Sequence, residues 1–363
     1  MTTTGAVSHC DLVVCACGDG EYTARDAMEA ALFRGDLAAP WQAFLRRVAA
    51  EDRAAELNLE LDEDALDTGA QLFRYQHDLI TAEETEQWLT VRGLTLDDFS
   101  DYFARQVWGN REIESMHPQE IDYLSAPTDL REAFTVDLIL SGQLDQITMQ
   151  LSWRLAALYS EKDVDLELVA AEKQRFLERN GMEAARLRNW LERLGRDEEW
   201  LDRHAAMEAA YRKRCGALLV PQAHQRELVS LRLPLTRFET EVIELESRDA
   251  AQEALFCVRE DGMSMEEVAV EGRYPYRRAD FLLEDIPIDV QQRFHSVSAG
   301  HVLEPVARGD GFELCRVMKK VEPQPDDPRV KSRIDQRLLE RHFSELTTKY
   351  VERRLGGASA PEE

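Results

Sequence analysis

Nowhere in the sequence do apolar residues run on for the roughly 18 positions that a membrane-crossing helix needs. Positive charge is also in deficit: 44 Lys and Arg stand against 70 Asp and Glu, a net charge of -26. Such a field repels phosphate backbones and anionic lipid surfaces, so neither nucleic acid nor membrane is expected as a partner. Six cysteines in 363 residues are too sparse for a disulfide framework. Met1 to Asp19 has no basic n-region, and its apolar run from Leu12 to Cys17 is too short for the core of a signal peptide. A reducing, cytoplasmic setting is the expectation. Gly-rich phosphate loops, Gly-x-Ser-x-Gly elbows and His-Glu-x-x-His motifs are missing too, so no nucleophile and no cofactor are nominated.

What remains is enough to build cores, since 44% of the residues are hydrophobic. The chain opens as strand, turn and helix. Asp11 to Cys17 alternates, Gly18-Asp19-Gly20 turns, and Thr23-x-x-Asp26 has the form of a capping box. From there to about Cys215 the pattern is helical and rich in Ala, Leu, Glu and Arg. A weak internal repeat lies within it, over 41–114 and 147–214. Trp88-Leu89 leads to Gly93 as Trp190-Leu191 leads to Gly195, and Phe73 corresponds to Phe176. The shared Trp-Leu-x-x-x-Gly reads as a helix that docks its aromatic in a core and stops at glycine.

Pro221 marks a change of character. Glu227 to Glu246 reads as β-rich, Ser247 to Asp261 and Ile288 to Val297 as helices, and Val302 to Ala307 with Phe312 to Val321 as a strand pair. A linker from Pro323 to Pro328 precedes one last helix, whose face of Val330, Ile334, Leu338, Phe343, Leu346 and Tyr350 must dock somewhere. The fold class expected is α+β and multidomain: a helical region over 1–220, an α+β domain over 225–323, and a helix over 328–355 that packs back on the helical region.

The most specific stretches are Ile286-Pro287-Ile288-Asp289 through Phe294, Gly300 to Val306 with its Pro305-Val306, and Gly309-Asp310-Gly311-Phe312-Glu313-Leu314. They resemble the parvulin (PpiC-type) prolyl isomerases, which carry there a proline-started helix, a Gly-x-x-x-x-Pro-Val strand and a turn into Gly-aromatic-His. The order of the whole chain resembles the SurA-type chaperones, whose opening strand and turn are echoed by Val13 to Thr23. The resemblance implies a parvulin-like domain in which the site residues are replaced. Its first-strand histidine matches Ser230 to Leu233, and so Leu231. Its last-strand histidine matches Glu313, and its apolar pocket residues, counted back from Phe294, match Asp285 and Asp289. Two aspartates desolvated by a prolyl ring would cost several kcal/mol each. The implied role is therefore a non-catalytic one.

Tyr274, Tyr276, Arg277 and Arg278 form an aromatic and basic cluster on a segment read as a loop; with Phe281, Phe294 and Phe312 they are the candidate peptide-binding residues. The basic last helix points the same way, toward an acidic peptide. His9, Cys10, Cys15 and Cys17 carry metal-ligand chemistry but not the spacing of structural zinc sites, so packing is expected and no metal. Acidic groups surround His117 (Glu112, Glu114, Glu120) and His204 (Glu198, Glu199, Asp202), and both sets read as solvated faces. The Trp and Phe stripe from Trp41 to Trp200 reads as core.

The expected function is binding of a peptide or unfolded polypeptide. PpiC-related proteins without export signals occur with ribosomally made peptide natural products, so a precursor peptide and its maturation enzymes are the expected partners. A divergent active isomerase and a structural partner of a biosynthetic enzyme are the alternatives.

Overall fold

In the computed structural model, which describes residues 8–111, 113, 121–161 and 163–354, the chain begins with a hairpin. Strand β1 (Val13–Cys17) turns back through Gly18, at a φ of +58° that favours glycine, into β2 (Gly20–Thr23). Thr23 then caps α1 (Ala24–Arg34). Its hydroxyl accepts from the Asp26 amide, and the Asp26 carboxylate accepts from the Thr23 amide. Four more helices follow: α2 (Ala38–Glu56), α3 (Glu63–Gln76), α4 (Ala82–Val91) and α5 (Leu96–Gly109). A second run repeats the number: α6 (Thr128–Leu140), α7 (Gln143–Ser160), α8 (Leu166–Arg179), α9 (Ala184–Leu194) and α10 (Glu198–Leu218).

The two runs correspond residue by residue. Asp62 and Asp165, 103 apart, cap α3 and α8; Phe73 and Phe176, also 103 apart, are buried near the ends of those helices. Asp78 and Gly181 make the same left-handed turn after them, with φ of +58° and +55°. Trp88 and Trp190, now 102 apart, meet those phenylalanines edge-on at 5.1 Å in both cases. Gly93 and Gly195 end α4 and α9 with φ of +69° and +71°. The first helices are exchanged between the runs. Phe134 of α6 packs on Trp41 and Phe44 of α2 at 5.0 and 5.3 Å, while Phe33 of α1 stacks on Phe176 of α8 at 4.9 Å. Buried polar groups fix the exchange: Asp137 of α6 accepts from Arg47 of α2 at 2.7 Å, and Glu29 of α1 accepts from Arg196 and from Trp200 Nε1.

These helices belong to a unit formed by Met1–Cys215 and Arg341–Glu363; Gly216–Glu340 forms the other. The second unit starts with α11 (Pro221–Ser230). It continues with β3 (Arg237–Leu245), α12 (Arg248–Arg259), α13 (Met265–Gly272), β4 (Tyr276–Leu282), α14 (Ile288–Ser296), β5 (Val306–Arg308) and β6 (Gly311–Val321). Its sheet is antiparallel with order β4-β3-β6-β5. Two apolar cores lie on opposite faces: Ile243, Leu245 and Leu314 meet α12 and α13, while Phe238, Val242 and Val317 meet Phe294 of α14.

The last helix, α15 (Pro328–Tyr350), buries Val330, Ile334 and Leu338 against Leu231 and Leu235 within the second unit. Its later residues complete the helical unit. Phe343 stacks on Trp153 at 5.4 Å, and the closing strand β7 (Val351–Arg353) pairs with β1. The architecture is α+β, and the C-terminal helix packs back on the helical region, as its apolar face requires.

Three sequence expectations are corrected. Glu227 to Glu246 is not one β-rich stretch: its first part is the end of α11 and a turn, and only Arg237–Leu245 is strand. Leu231 and Leu235 sit four apart to face α15, a helical spacing that mimics alternation once Leu233 is counted in. Tyr276 to Arg278 lie in strand β4, at a sheet edge, and not in a loop. His204 belongs to no solvated face; it is buried, its Nδ1 2.8 Å from the Trp200 carbonyl, and burial pushes its pKa down to about 4. The set around His117 lies outside the described residues.

Candidate functional site

Strand alternation sorts the residues of the second unit onto two faces. On β3, Phe238, Thr240, Val242 and Glu244 point to the α14 side. Register places beside them Arg277, Ala279 and Phe281 on β4, and Glu313, Cys315 and Val317 on β6. At one end of this face three rings form a floor: Phe294 meets Phe281 and Phe238 edge-on at 5.2 and 5.6 Å, and the latter two stack at 6.0 Å. Ile286, Val290 and Val297 pack around it. In the middle, the Thr240 hydroxyl donates to the Ala279 carbonyl at 3.0 Å. Burial pushes the Cys315 thiol up to about 12, which leaves it an inert core group.

The other end is charged. Arg277 donates to Glu244 at 3.1 Å and to Glu313 at 2.8 Å, and Arg308 donates to Glu313 at 3.1 Å. Burial opposes the charge on Arg277, but its bond to Glu244 and the charge of Glu313 outweigh that and raise its pKa. A shallow groove of about 660 Å³ opens here, lined by Glu244, Pro275, Arg308, Phe312 and Glu313 among others.

The seven residues nominated from sequence therefore do not form one cluster. Arg277, Phe281 and Phe294 share the α14 face. Tyr274, Tyr276 and Phe312 pack on the opposite core, and Arg278 reaches the buried Glu241 there, as Tyr276 does through its hydroxyl at 2.8 Å. Leu231 is no strand residue at all; it follows α11 and is buried against Val330 and Ile334 of α15. Asp285 and Asp289 are exposed. Asp285 accepts from the Leu282 amide and from Arg333, and neither aspartate lines the ring floor. Of the residues that do, Val290 precedes Phe294 by one helical turn of α14, and Ile286 lies just before that helix begins.

Thr240, Val242 and Cys315 escaped the sequence reading because the strand was placed too early. The period-two pattern of Arg237 to Leu245 was the available signal. In the helical unit, Cys15 and Cys17 are buried free thiols whose pKa burial raises to about 11 for each, as small core residues behave.

No family model matches the chain, and no curated protein matches it. Solved structures do. A peptidylprolyl isomerase, PrsA, from Bacillus anthracis is 15% identical over 56% of this chain and 95% of that one, with a TM-score of 0.32. PrsA from Bacillus cereus is 13% identical over 60% of this chain and 85% of that one, with a TM-score of 0.36. A structure from Campylobacter jejuni described as one of two SurA-like chaperones is 11% identical over 59% of this chain and 86% of that one, with a TM-score of 0.20. The fold itself rests on this chain's own strand order and on the return of its last helix.

Proposed function

We propose that this protein is a chaperone-like binder of extended peptide, without prolyl isomerase chemistry of its own. One observation carries the reading. Along a shallow groove lined by Pro275 and Phe312 stands a tied network, Arg277 with Glu244 and Glu313 and Arg308 with Glu313, where parvulins hold a histidine. A carboxylate held by two guanidinium groups orients charged partners but does not tune a twisting amide, whose barrier is about 18–20 kcal/mol. The similar solved structures, described as a peptidylprolyl isomerase and as SurA-like chaperones, agree with polypeptide as the class of ligand. The finer version is a precursor peptide on its way to a ribosomally made natural product, bound in the cytoplasm and handed to a maturation enzyme. The apolar cluster of Ile286, Val290 and Phe294 on the same sheet face favours a second reading, a divergent isomerase.

Calorimetry of the full chain against candidate precursor peptides and reduced unfolded polypeptide tests the first reading. Micromolar binding, weakened by Phe281→Ala or Arg277→Glu, is expected. A parallel assay of prolyl isomerisation should show no acceleration; acceleration that survives dilution and is lost in Glu313→Ala would put the second reading first.

A further inference from the structure

The internal repeat is broken at one place, and there the molecule has an open cleft. In the second run Gly35, which ends α1, is covered: a Cβ there would meet the Arg179 side chain at 2.6 Å, and Arg179 reaches the Phe33 carbonyl. Phe33 and Trp200 fill the space between, with Trp200 6.0 Å from Phe33 and 6.4 Å from Phe176. In the first run Gly142, which follows α6, has the same left-handed φ (+72° against +82°), but a Cβ there would meet nothing within 4 Å. The counterparts of the fillers are smaller or more polar. Leu140 stands two residues before the glycine where Phe33 stood, Asp98 takes the place of Trp200, and Gln76 that of Arg179. Beside Gly142 lies a cleft of about 890 Å³, with Leu79, Trp88, Val91 and Ile139 among its apolar walls. Val91 is 66% exposed, and the adjoining Ile80 and Tyr75 are 79% and 83% exposed.

Two polar groups inside keep open bonding capacity. Arg92 lies over the Trp88 ring at 3.8 Å and donates to the Trp88 carbonyl, but among the described residues it makes no ion pair. Asp145 lines the same cleft and faces Arg353 at 3.8 Å, yet its Oδ1 is buried without a hydrogen-bond partner. The remaining acid, Glu84, is occupied: it accepts from the Ile80 and Thr81 amides at 2.7 Å. The cleft thus offers a cation that makes no ion pair among the described residues and is only partly balanced by the charge of Asp145, one unsatisfied acceptor and an aromatic wall. An extended peptide meets all three: an acidic side chain for Arg92, a backbone N–H for Asp145, and an apolar neighbour for Trp88.

We infer that the cleft between Trp88 and Gly142 is a docking site for an extended peptide in which an acidic residue stands beside an apolar one. This rests on the peptide-binding reading above and deepens it, naming a second site and the kind of segment it takes. The two halves differ at this place: Gly35 is covered where Gly142 is open, and Leu194 stands in the second run where the first has Arg92.

The test uses the full chain, a fluorescein-labelled twelve-residue peptide of alternating Leu and Glu, and its Leu and Gln counterpart, followed by fluorescence anisotropy. The Glu peptide should bind about tenfold tighter, the worth of one charge-assisted pair. Arg92→Gln should erase that preference. Gln76→Arg, at an exposed helix end, supplies the counterpart of Arg179 and should weaken both peptides, while Arg193→Gln in the other half should change neither. Unchanged binding in both Arg92→Gln and Gln76→Arg overturns the site; if Phe281→Ala then abolishes it, the peptide-binding reading stands and only this site falls. No binding of any peptide by the wild type removes both. Self-association that Arg92→Gln abolishes would assign the cleft to a second copy and also overturn the peptide assignment.

Discussion

The two helical runs have the same order of helices, the same capping aspartates and the same Phe-on-Trp contact, yet one is plugged and the other is not. In the second, Phe33, Phe176, Trp190 and Trp200 form a closed ring cluster. In the first, Phe73 meets Trp88, Phe99 and Phe103, and the aromatic wall continues into a cleft. The comparison teaches that a repeat can keep its frame while its fillings diverge: caps and glycine turns hold the backbone, and filler volume decides where a cavity opens.

The comparison can be broken most forcefully in the plugged half. Phe176→Ala removes a fully buried ring from a packed cluster and should cost about 4 kcal/mol, against about 3 kcal/mol or less for Phe73→Ala beside the cleft. All six tryptophans lie in the helical unit, so urea unfolding followed by tryptophan fluorescence reads it selectively. Equal losses would mean that the two halves are packed alike. Next comes Glu29, whose carboxylate holds Arg196 and Trp200 Nε1; Glu29→Ala leaves both unpaired and should cost about 3 kcal/mol in the same measurement.

A pH effect separates the halves as well. His204 of the plugged half has a pKa near 4, held down by burial, whereas its counterpart 102 residues earlier is Tyr102, whose phenol burial raises to about 12. Because the folded pKa of His204 lies below the free value of about 6.5, the unfolded chain binds the extra proton between them. Its contribution is full above about pH 6.5 and is lost as pH falls toward 4, a change of about 3 kcal/mol at most. His204→Gln should flatten that acid limb of the urea midpoint; an unchanged limb would mean that the group is not titrating there. The smallest effect belongs to the second unit. Glu313→Gln should cost less than about 1 kcal/mol, since its partners are partly exposed and screened by water. A larger loss would make the network a structural one and weaken its role at a ligand.

Much of this was legible in the sequence because short-range signals carry it. The capping box at Thr23, the Trp-Leu-x-x-x-Gly helices and the last helix's apolar face each depend on residues within a turn or two of one another. The extent of the repeat was harder to see. α2 and α7 share burial but little identity, and Trp41 and Phe44 answer to Leu144 and Ile147. The exchange of α1 and α6 depends on contacts 90 or more residues apart, which no local pattern records. In the second unit one misplaced strand moved the whole site: once Leu231 was taken for strand, Thr240, Val242 and Cys315 could not be seen together. Counting back from Phe294 reaches Asp285 and Asp289, whereas the packed face of α14 carries Val290 and Phe294 with Ile286 just ahead of it.

The pairing of β7 with β1 sets an order of events in synthesis. Val351 to Arg353 lie beside Cys15 to Cys17, and Arg354 meets Glu21, 333 residues earlier. Until that last strand has left the ribosome, β1 keeps an open edge and Trp153 lacks the ring of Phe343. Gly216–Glu340 is complete before then and is free to fold first. The helical unit, made first, would be finished last, and through that interval its uncovered strand and ring are the surfaces most exposed to aggregation.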